Sequence, residues 1–95
     1  MQSEVRDNPA ASRFELPCDA GIAFVQYRRE GDDLLVLTHT EVPEALSGQG
    51  IGSKLVRGTL DRLRKEERKI VPRCEFVAAF IERHLEYRDL VADRG

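Results

Sequence analysis

The sequence has few cysteines, no long apolar run and no marked excess of charge of either sign. Its two cysteines, Cys18 and Cys74, lie far apart, and neither a CxxC pair nor a Cys/His cluster accompanies them. This usage favours a reduced, cytoplasmic protein without a bound metal over a disulfide-rich or zinc-binding one. No apolar segment approaches the roughly 20 residues that cross a bilayer, and no signal-peptide core is present, so we expect no membrane association.

Charge and length exclude further classes. Fifteen Lys and Arg residues against 17 Asp and Glu residues leave a formal charge of −2, which provides no overall basic field for nucleic acid. The 95 residues suffice for one domain with a modest core, so a ligand is expected in a cleft. We therefore expect a single small domain over 1–95, monomeric or weakly dimeric, in which the polar residues 1–12 are flexible.

The hydrophobic pattern predicts an α+β (α/β) fold. Apolar residues recur at helical spacing from Ile51 to Leu63, and a second helical pattern begins at Glu75. Strands are predicted at residues 13–16, 22–27, 34–42 and 69–74. The order of three strands, a long helix, a strand and a second helix predicts a mixed, mostly antiparallel sheet with two main helices packed on it.

The third predicted strand changes character along its length. Strict alternation places Leu35, Leu37, His39 and Glu41 on one face and Thr40 on the other. The first half is apolar on both faces, and the second half is polar on both. The polar end indicates either a functional site or side chains that only meet solvent at a sheet margin.

Three glycines crowd into the five positions that precede the first helical pattern. Gly48, Gly50 and Gly52 lack the Cβ atoms that would hold a ligand away from the amide groups, and the start of a helix favours a phosphate. The spacing fits neither a Walker P-loop nor the dinucleotide fingerprint GxGxxG, because Ser53 occupies its last glycine position. The alternative is a glycine-rich turn that binds nothing.

Together with its flanking segments, this loop resembles that of the GNAT superfamily of N-acetyltransferases, specifically its very small YjdJ-type members. The family loop reads Arg/Gln-x-x-Gly-x-Gly/Ala after a strand that ends in Val, and Val42 with residues 47–52 matches it except at Ser47. The resemblance continues over residues 39–43 and 71–87. Because Ser47 replaces Arg or Gln, the main-chain contacts to phosphate are implied and the side-chain contact is not.

The resemblance implies a minimal GNAT-like fold in which the fourth strand splays away near Pro72 and the thioester of acetyl-CoA lies in the gap. The amides of residues 48–53 would hold the pyrophosphate, and residues 40–42 would bond the pantetheine arm and the acetyl carbonyl. The residues implied to bind the coenzyme are Thr40, Glu41, Val42, Gly48, Gln49, Gly50, Ile51, Gly52, Ser53, Phe80 and Arg83.

Acetyl transfer to an amine requires a base and is assisted by an acid. His39 and Glu41 are candidates for the base. Cys74, near the expected thioester, is a candidate acid, a transient acetyl acceptor or an ordinary packing thiol. Many GNAT enzymes place a Tyr acid on the helix after the splayed strand, where this chain has Phe80.

The resemblance implies an acetyl-CoA-dependent N-acetyltransferase. So short a chain lacks the extra helices that enclose a small acceptor, so the acceptor is expected to be a protein lysine or N-terminal amine. The alternatives are an acyl-CoA-binding module with little or no catalysis and an interaction domain without a ligand.

Three smaller expectations concern the second half of the chain. Gly58 inside the first helix indicates either a close approach by a strand or a less stable helix. His84 is expected to bond carbonyl groups at the end of the second helix. Tyr87, Leu90 and Val91 are predicted to pack back onto the core.

Overall fold

The computed structural model describes residues 5–92. Within them one five-stranded sheet has its strands side by side in chain order. The strands are β1 (Arg6–Asn8), β2 (Arg13–Cys18), β3 (Gly21–Arg29), β4 (Leu34–Glu41) and β5 (Lys69–Pro72). Neighbours pair antiparallel except β4 and β5, which are parallel. This arrangement confirms the predicted mixed, mostly antiparallel sheet.

Two helices supply the apolar surface that covers the sheet. Helix α1 (Ile51–Lys65) connects β4 to the parallel strand β5, and helix α2 (Glu75–Arg83) follows β5. The inward side chains of α1 recur at the predicted spacing and are fully buried: Leu55, Val56, Leu60 and Leu63. Neither helix is long and apolar enough to span a membrane, and no other helix among residues 5–92 is.

The two faces of the sheet differ in what they contact. The covered face packs under the helices, and its Phe14, Val25 and Leu37 are 0% exposed. The open face carries the alternate side chains of the same strands, such as the half-buried Phe24 and the exposed Gln26. The covered face therefore builds the core, and the open face meets solvent.

The N-terminal segment corrects one expectation. Residues 1–12 were expected to be flexible, but Arg6–Asn8 pair with β2 and Pro9–Ala11 form a 3-10 turn. A Cβ atom on Gly58 would lie 2.6 Å from Cγ2 of Val5. The glycine thus permits a close approach, and the approaching residue is Val5 just before β1. The first four residues of the chain lie outside the described part.

The C-terminal segment packs as predicted. Tyr87 and Leu90 are 4% exposed, and Val91 contacts the core. The Tyr87 hydroxyl donates to Asp61 Oδ1 (2.6 Å) and accepts from Arg57 Nη1 (3.3 Å). Burial raises the pKa of Tyr87, and the hydrogen bond to Asp61 raises it further. These contacts fasten the 3-10 turn Leu85–Leu90 to α1.

A β-bulge interrupts β4 where its polar half begins. Tyr27 of β3 pairs with Leu37, but the preceding Gln26 pairs with His39. One residue of β3 is therefore matched by two of β4, and Thr38 is the extra residue.

The bulge reverses the alternation of side chains beyond it. Val25 of β3 lies on the covered face and pairs with Thr40, so Thr40 joins Leu37 there. His39 and Glu41 move to the open face. The prediction that His39 and Glu41 share a face is confirmed, but the prediction that Leu37 lies with them is wrong.

Candidate functional site

The strands β4 and β5 separate halfway along β4. Their pairing ends where Pro72 lies opposite Leu37. The amides of Arg73 and Cys74 then both donate to the Leu37 carbonyl, at 3.0 and 2.9 Å, which turns the chain into α2. On this side, the remainder of β4 has no strand partner among residues 5–92. A gap therefore opens between the end of β4 and the start of α2, as predicted for Pro72.

Thr40 and Cys74 face each other across this gap. Thr40 Oγ1 lies 3.2 Å from Cys74 Sγ, and both residues are partly buried. Cys74 is also the N-cap residue of α2. The other cysteine takes no part, because Cys18 Sγ donates to the Leu16 carbonyl (3.3 Å) on β2. Of the two thiols, only Cys74 lies at the gap.

The other two catalytic candidates form a pair on the open face. His39 Nε2 lies 3.1 Å from Glu41 Oε1, and these side chains are 53% and 60% exposed. The ring of Phe24 presents an edge-to-face contact to His39 with centroids 6.4 Å apart, and the Arg13 guanidinium lies 4.3 Å over Phe24. Because Thr40 and Cys74 meet on the covered side, the three candidates approach the gap from opposite faces of the sheet.

A buried carboxylate lies on the open face near this pair. Glu15 is 3% exposed and accepts hydrogen bonds from Asn8 (2.9 Å), Arg13 (2.7 Å) and Arg6 (3.4 Å). The hydrogen bonds from Asn8 and Arg13 hold the pKa of Glu15 below its ordinary value. The network ties β1 to β2 and fixes the guanidinium that covers Phe24.

Two of the loop glycines are required by the backbone. Gly48 and Gly50 have φ values of 83° and 76°, and a Cβ atom on either would meet nothing within 4 Å. Gly50 is the N-cap residue of α1, and no side chain caps that helix end. The amides of the first helical turn, Ile51 to Ser53, therefore have neither an intrahelical partner nor a side-chain cap among residues 5–92.

The loop corrects the expectation that all amides of residues 48–53 are available. The amide of Gln49 donates to the Leu46 carbonyl at 3.2 Å and closes a turn. Only the Gln49 side chain is left for a ligand. Because the Gln49 amide is paired, the main-chain donors left in the loop are the amides of Gly48, Gly50 and the first turn of α1.

Gly52 has a different role from the two glycines before it. A Cβ atom there would lie 2.6 Å from two ring carbons of Phe76, so the missing side chain lets α1 approach α2. The contact draws the first turns of the two helices together. The uncapped end of α1 and the gap beside Cys74 are consequently neighbours.

Two residues predicted to contact the coenzyme, Phe80 and Arg83, lie on α2. Phe80 is 1% exposed and stacks on His84 with centroids 4.1 Å apart. This burial makes Phe80 a core residue, and its contact with the coenzyme stays a prediction. His84 Nδ1 lies 2.9 Å from the Phe80 carbonyl, as expected for a residue at a helix end. Arg83 is exposed and forms no ion pair within the described range, so its guanidinium is accessible.

A cleft of about 430 Å³ adjoins the glycine loop on the side of β2. It is lined by Leu16, Pro17, Cys18, Asp19, Leu46, Gln49, Ile51 and Lys54. This cleft was not predicted from the sequence, and its wall includes Lys54. The only available signal was the position of Lys54, two residues beyond the last loop glycine. Within residues 5–92, no three His, Cys, Asp or Glu residues are arranged to hold a metal ion.

Comparison with known proteins identifies the family. Residues 13–90 match the family described as GCN5-related N-acetyl-transferase, and this span exceeds half of the chain. The chain belongs to this family. The GNAT resemblance is therefore confirmed, whereas membership of the YjdJ-type subgroup stays a prediction.

Individual relatives agree with the GNAT assignment. Protein NATD1 from Bos taurus and Protein NATD1 from Homo sapiens are each 32% identical over 60 residues, which is 63% of this chain and 53% of each relative. The chain thus spans about half the length of the curated relatives it matches. The NMR solution structure of a GCN5-like candidate N-acetyltransferase from Staphylococcus aureus superposes with a TM-score of 0.71 at 25% identity, covering 99% of this chain and 92% of that one.

Proposed function

We propose that this GNAT protein is an acetyl-CoA-dependent N-acetyltransferase that acts on a lysine or N-terminal amine of a polypeptide. The observation that carries the proposal is the gap beyond Pro72. One end adjoins the uncapped first turn of α1, and the other is bounded by Thr40 and Cys74. The proposed pyrophosphate donors lie at the start of α1 and the proposed acyl-transfer groups lie beside the start of α2, and these two helix ends meet where Gly52 contacts Phe76.

The start of α1 fits the pyrophosphate of the coenzyme. The amides of Ile51, Gly52 and Ser53 have no hydrogen-bond partner within residues 5–92, and the helix dipole places partial positive charge among them. Positive φ at Gly48 and Gly50 turns the chain without a side chain above these donors. Ser47 lacks the long polar side chain of the family's Arg or Gln, so the main chain carries this contact.

The rest of the coenzyme is assigned to the gap. The unpaired edge of β4 at residues 40–42 bonds the pantetheine arm, and the thioester brings the acyl carbon to Thr40 and Cys74. Arg83 supplies a free cation for a phosphate. The thioester contributes an activated acyl group. The residues of this chain therefore need to orient the acyl group, remove a proton from the amine and supply a proton to the leaving thiolate.

His39 is the proposed base on the open face. The Glu41 carboxylate accepts the hydrogen bond from Nε2, which leaves Nδ1 unprotonated and able to take a proton from the incoming amine. Half of the His39 side chain is exposed, as a polypeptide acceptor requires. Cys74 lies on the other side of the gap, where it protonates the leaving thiolate or receives the acetyl group transiently.

Measuring the release of free coenzyme A in the presence of a panel of peptides tests whether the protein transfers acetyl groups to amines. We expect transfer by the wild-type protein and a loss of about 100-fold in kcat for His39→Gln. Gln26→Ala is the matched control, since Gln26 pairs with His39 on the open face and has no proposed role. Cys74→Ser should bind acetyl-CoA normally and turn over more slowly; unchanged turnover would remove Cys74 from the chemistry.

The acyl-CoA-binding module is the second candidate, favoured by Phe80 at the position where many family members have the Tyr acid. Tight binding of acetyl-CoA in calorimetry without transfer to any acceptor would support it over the enzyme. The proposal also includes a cytoplasmic location, a single domain and a monomer or weak dimer, which fractionation and sedimentation would test.

A further inference from the structure

The bulge at Thr38 determines which groups meet at the gap. Without an extra residue, Thr40 would lie on the open face with Val36 and the Cys74 sulfur would face no hydroxyl. With it, Thr40 Oγ1 lies 3.2 Å from Cys74 Sγ, although 34 residues separate them in the chain. The contact is therefore a product of tertiary structure.

The main chain fixes the position of the sulfur before the hydroxyl acts on it. The Cys74 amide donates to the Leu37 carbonyl at 2.9 Å, and the Cys74 carbonyl accepts from the Ala78 amide at 3.0 Å. The Leu37 carbonyl also receives the Arg73 amide, so both of its lone pairs are occupied. It is not an acceptor for Thr40, whose hydroxyl has Cys74 Sγ as its partner.

We propose that Thr40 is a positioning residue for Cys74. The Thr40 hydroxyl donates a hydrogen bond to Cys74 Sγ and stabilises the thiolate form of Cys74. A neutral thiol is a weak acceptor, whereas a thiolate accepts a charge-assisted hydrogen bond. The contact is thus stronger when Cys74 has lost its proton. The inference rests on the proposed function in taking the gap as the place where the thioester is cleaved.

The Thr40 hydroxyl would assist Cys74 whether Cys74 acts as the general acid or as a transient acetyl acceptor. As an acid, Cys74 breaks its S–H bond, the proton forms the S–H bond of released coenzyme A, and the negative charge stays on Cys74 until water reprotonates it. As an acceptor, Cys74 first releases its proton to water, and its thiolate forms a bond to the acetyl carbon while the bond to the coenzyme sulfur breaks. Coenzyme A leaves as a thiolate that a proton from water neutralises. The acceptor amine then bonds the acetyl carbon, the bond to Cys74 Sγ breaks, and the Cys74 thiolate is regenerated. Thr40 stabilises the thiolate in both cases.

In a Cys18→Ser background, the rate of alkylation by iodoacetamide measures the reactivity of Cys74 alone, since the chain has only these two cysteines. We expect Thr40→Val, which keeps the side-chain shape, to slow alkylation about tenfold, and Thr40→Ser to restore it to within about twofold. A merely structural role would not distinguish Val from Ser in this way. Melting temperatures verify folding, and Thr40→Ala replaces the Val variant if the latter does not fold.

Alkylation of Thr40→Val at the wild-type rate, or equal slowing in Thr40→Val and Thr40→Ser, would overturn the inference. Because alkylation needs no turnover, a protein that acetylates nothing still gives this readout, and failure of the proposed function is recognised separately. In an active protein, Thr40→Val should lower kcat about tenfold and leave the dissociation constant of acetyl-CoA within about twofold. A weakened affinity with unchanged kcat would instead make Thr40 a coenzyme contact only.

Discussion

The covered and open faces of the sheet are stabilised by different means. The covered face is apolar and packs under two helices, with Phe14, Val25 and Leu37 at 0% exposure. The open face has no helix over it within residues 5–92 and depends on polar contacts such as the Arg13–Glu15 pair. Substitutions on the covered side should therefore cost stability first, whereas those on the open side should act through charge or activity.

The strongest test of this comparison is Phe80→Ala beneath the covered face. Loss of a fully buried aromatic ring should reduce the free energy of unfolding by about 3–5 kcal/mol. Chemical denaturation measures the loss, with Phe80→Leu as a milder control that keeps most of the volume. If Phe80→Ala were as stable as wild type but bound acetyl-CoA poorly, the ring would be a ligand contact after all.

Gly52→Ala tests the contact between the two helices. Its Cβ atom would enter the Phe76 ring, so we expect a loss of about 1–3 kcal/mol in unfolding free energy. Combining it with Phe76→Leu should recover part of the loss in a double-mutant cycle.

Gly50→Ala is the matched comparison for Gly52→Ala. Its surroundings are open, so only the positive φ is strained, at about 1 kcal/mol, and acetyl-CoA affinity should fall more than stability does. Equal effects at the two glycines on both measurements would contradict the separate roles.

Glu15→Gln tests the polar network of the open face. It keeps the side-chain shape but removes a charge that three donors share, so we expect a loss of about 1–2 kcal/mol near neutral pH. Because the folded-state pKa of Glu15 is lowered, its stabilising contribution is complete above the ordinary pKa and is lost as pH falls through the lowered value.

The variant and wild type should therefore converge in acid. Urea denaturation at about pH 7 and about pH 3 would measure this convergence. A stability difference that stayed constant between the two conditions would show that the carboxylate charge is not the stabilising feature.

Thr59→Val should produce the smallest change, and in the opposite direction. Thr59 is 0% exposed on α1, and its hydroxyl has no hydrogen-bond partner among the described residues. An apolar side chain of the same shape removes that unpaired group, so we expect a gain of about 1 kcal/mol in unfolding free energy. Thr59→Ser, which keeps the hydroxyl, is the control and should show no gain.

The starts of the two helices were predicted well, because the spacing of apolar residues and the turn residues that mark them lie close together in the chain. Helix α1 begins at Ile51, where the helical spacing begins, and α2 begins at Glu75. Strand β1 was missed because Arg6–Asn8 are polar and pair through the Glu15 network rather than an apolar pattern. Strand β2 extends through Cys18, beyond the predicted end.

The candidate site was predictable in composition but not in geometry. The polar end of β4 and Cys74, two residues after Pro72, were identified from sequence. Their division between two faces was not, because strict alternation assumes a register without a bulge. The burial of Phe80 in the core and its stacking on His84 also depend on packing between distant residues, which the sequence pattern does not specify.

By itself, the sequence determined the order of strands and helices, the uncapped glycine turn before α1 and the polar end of β4, since each depends on residues close together in the chain. Tertiary structure alone decided that Thr40 faces Cys74 and that the Phe76 ring packs against Gly52. It also decided that His39 lies on the opposite face of the sheet from Thr40 and Cys74. These outcomes depend on how β3 pairs with β4 and how α1 packs on α2. Such contacts join residues that no local pattern relates.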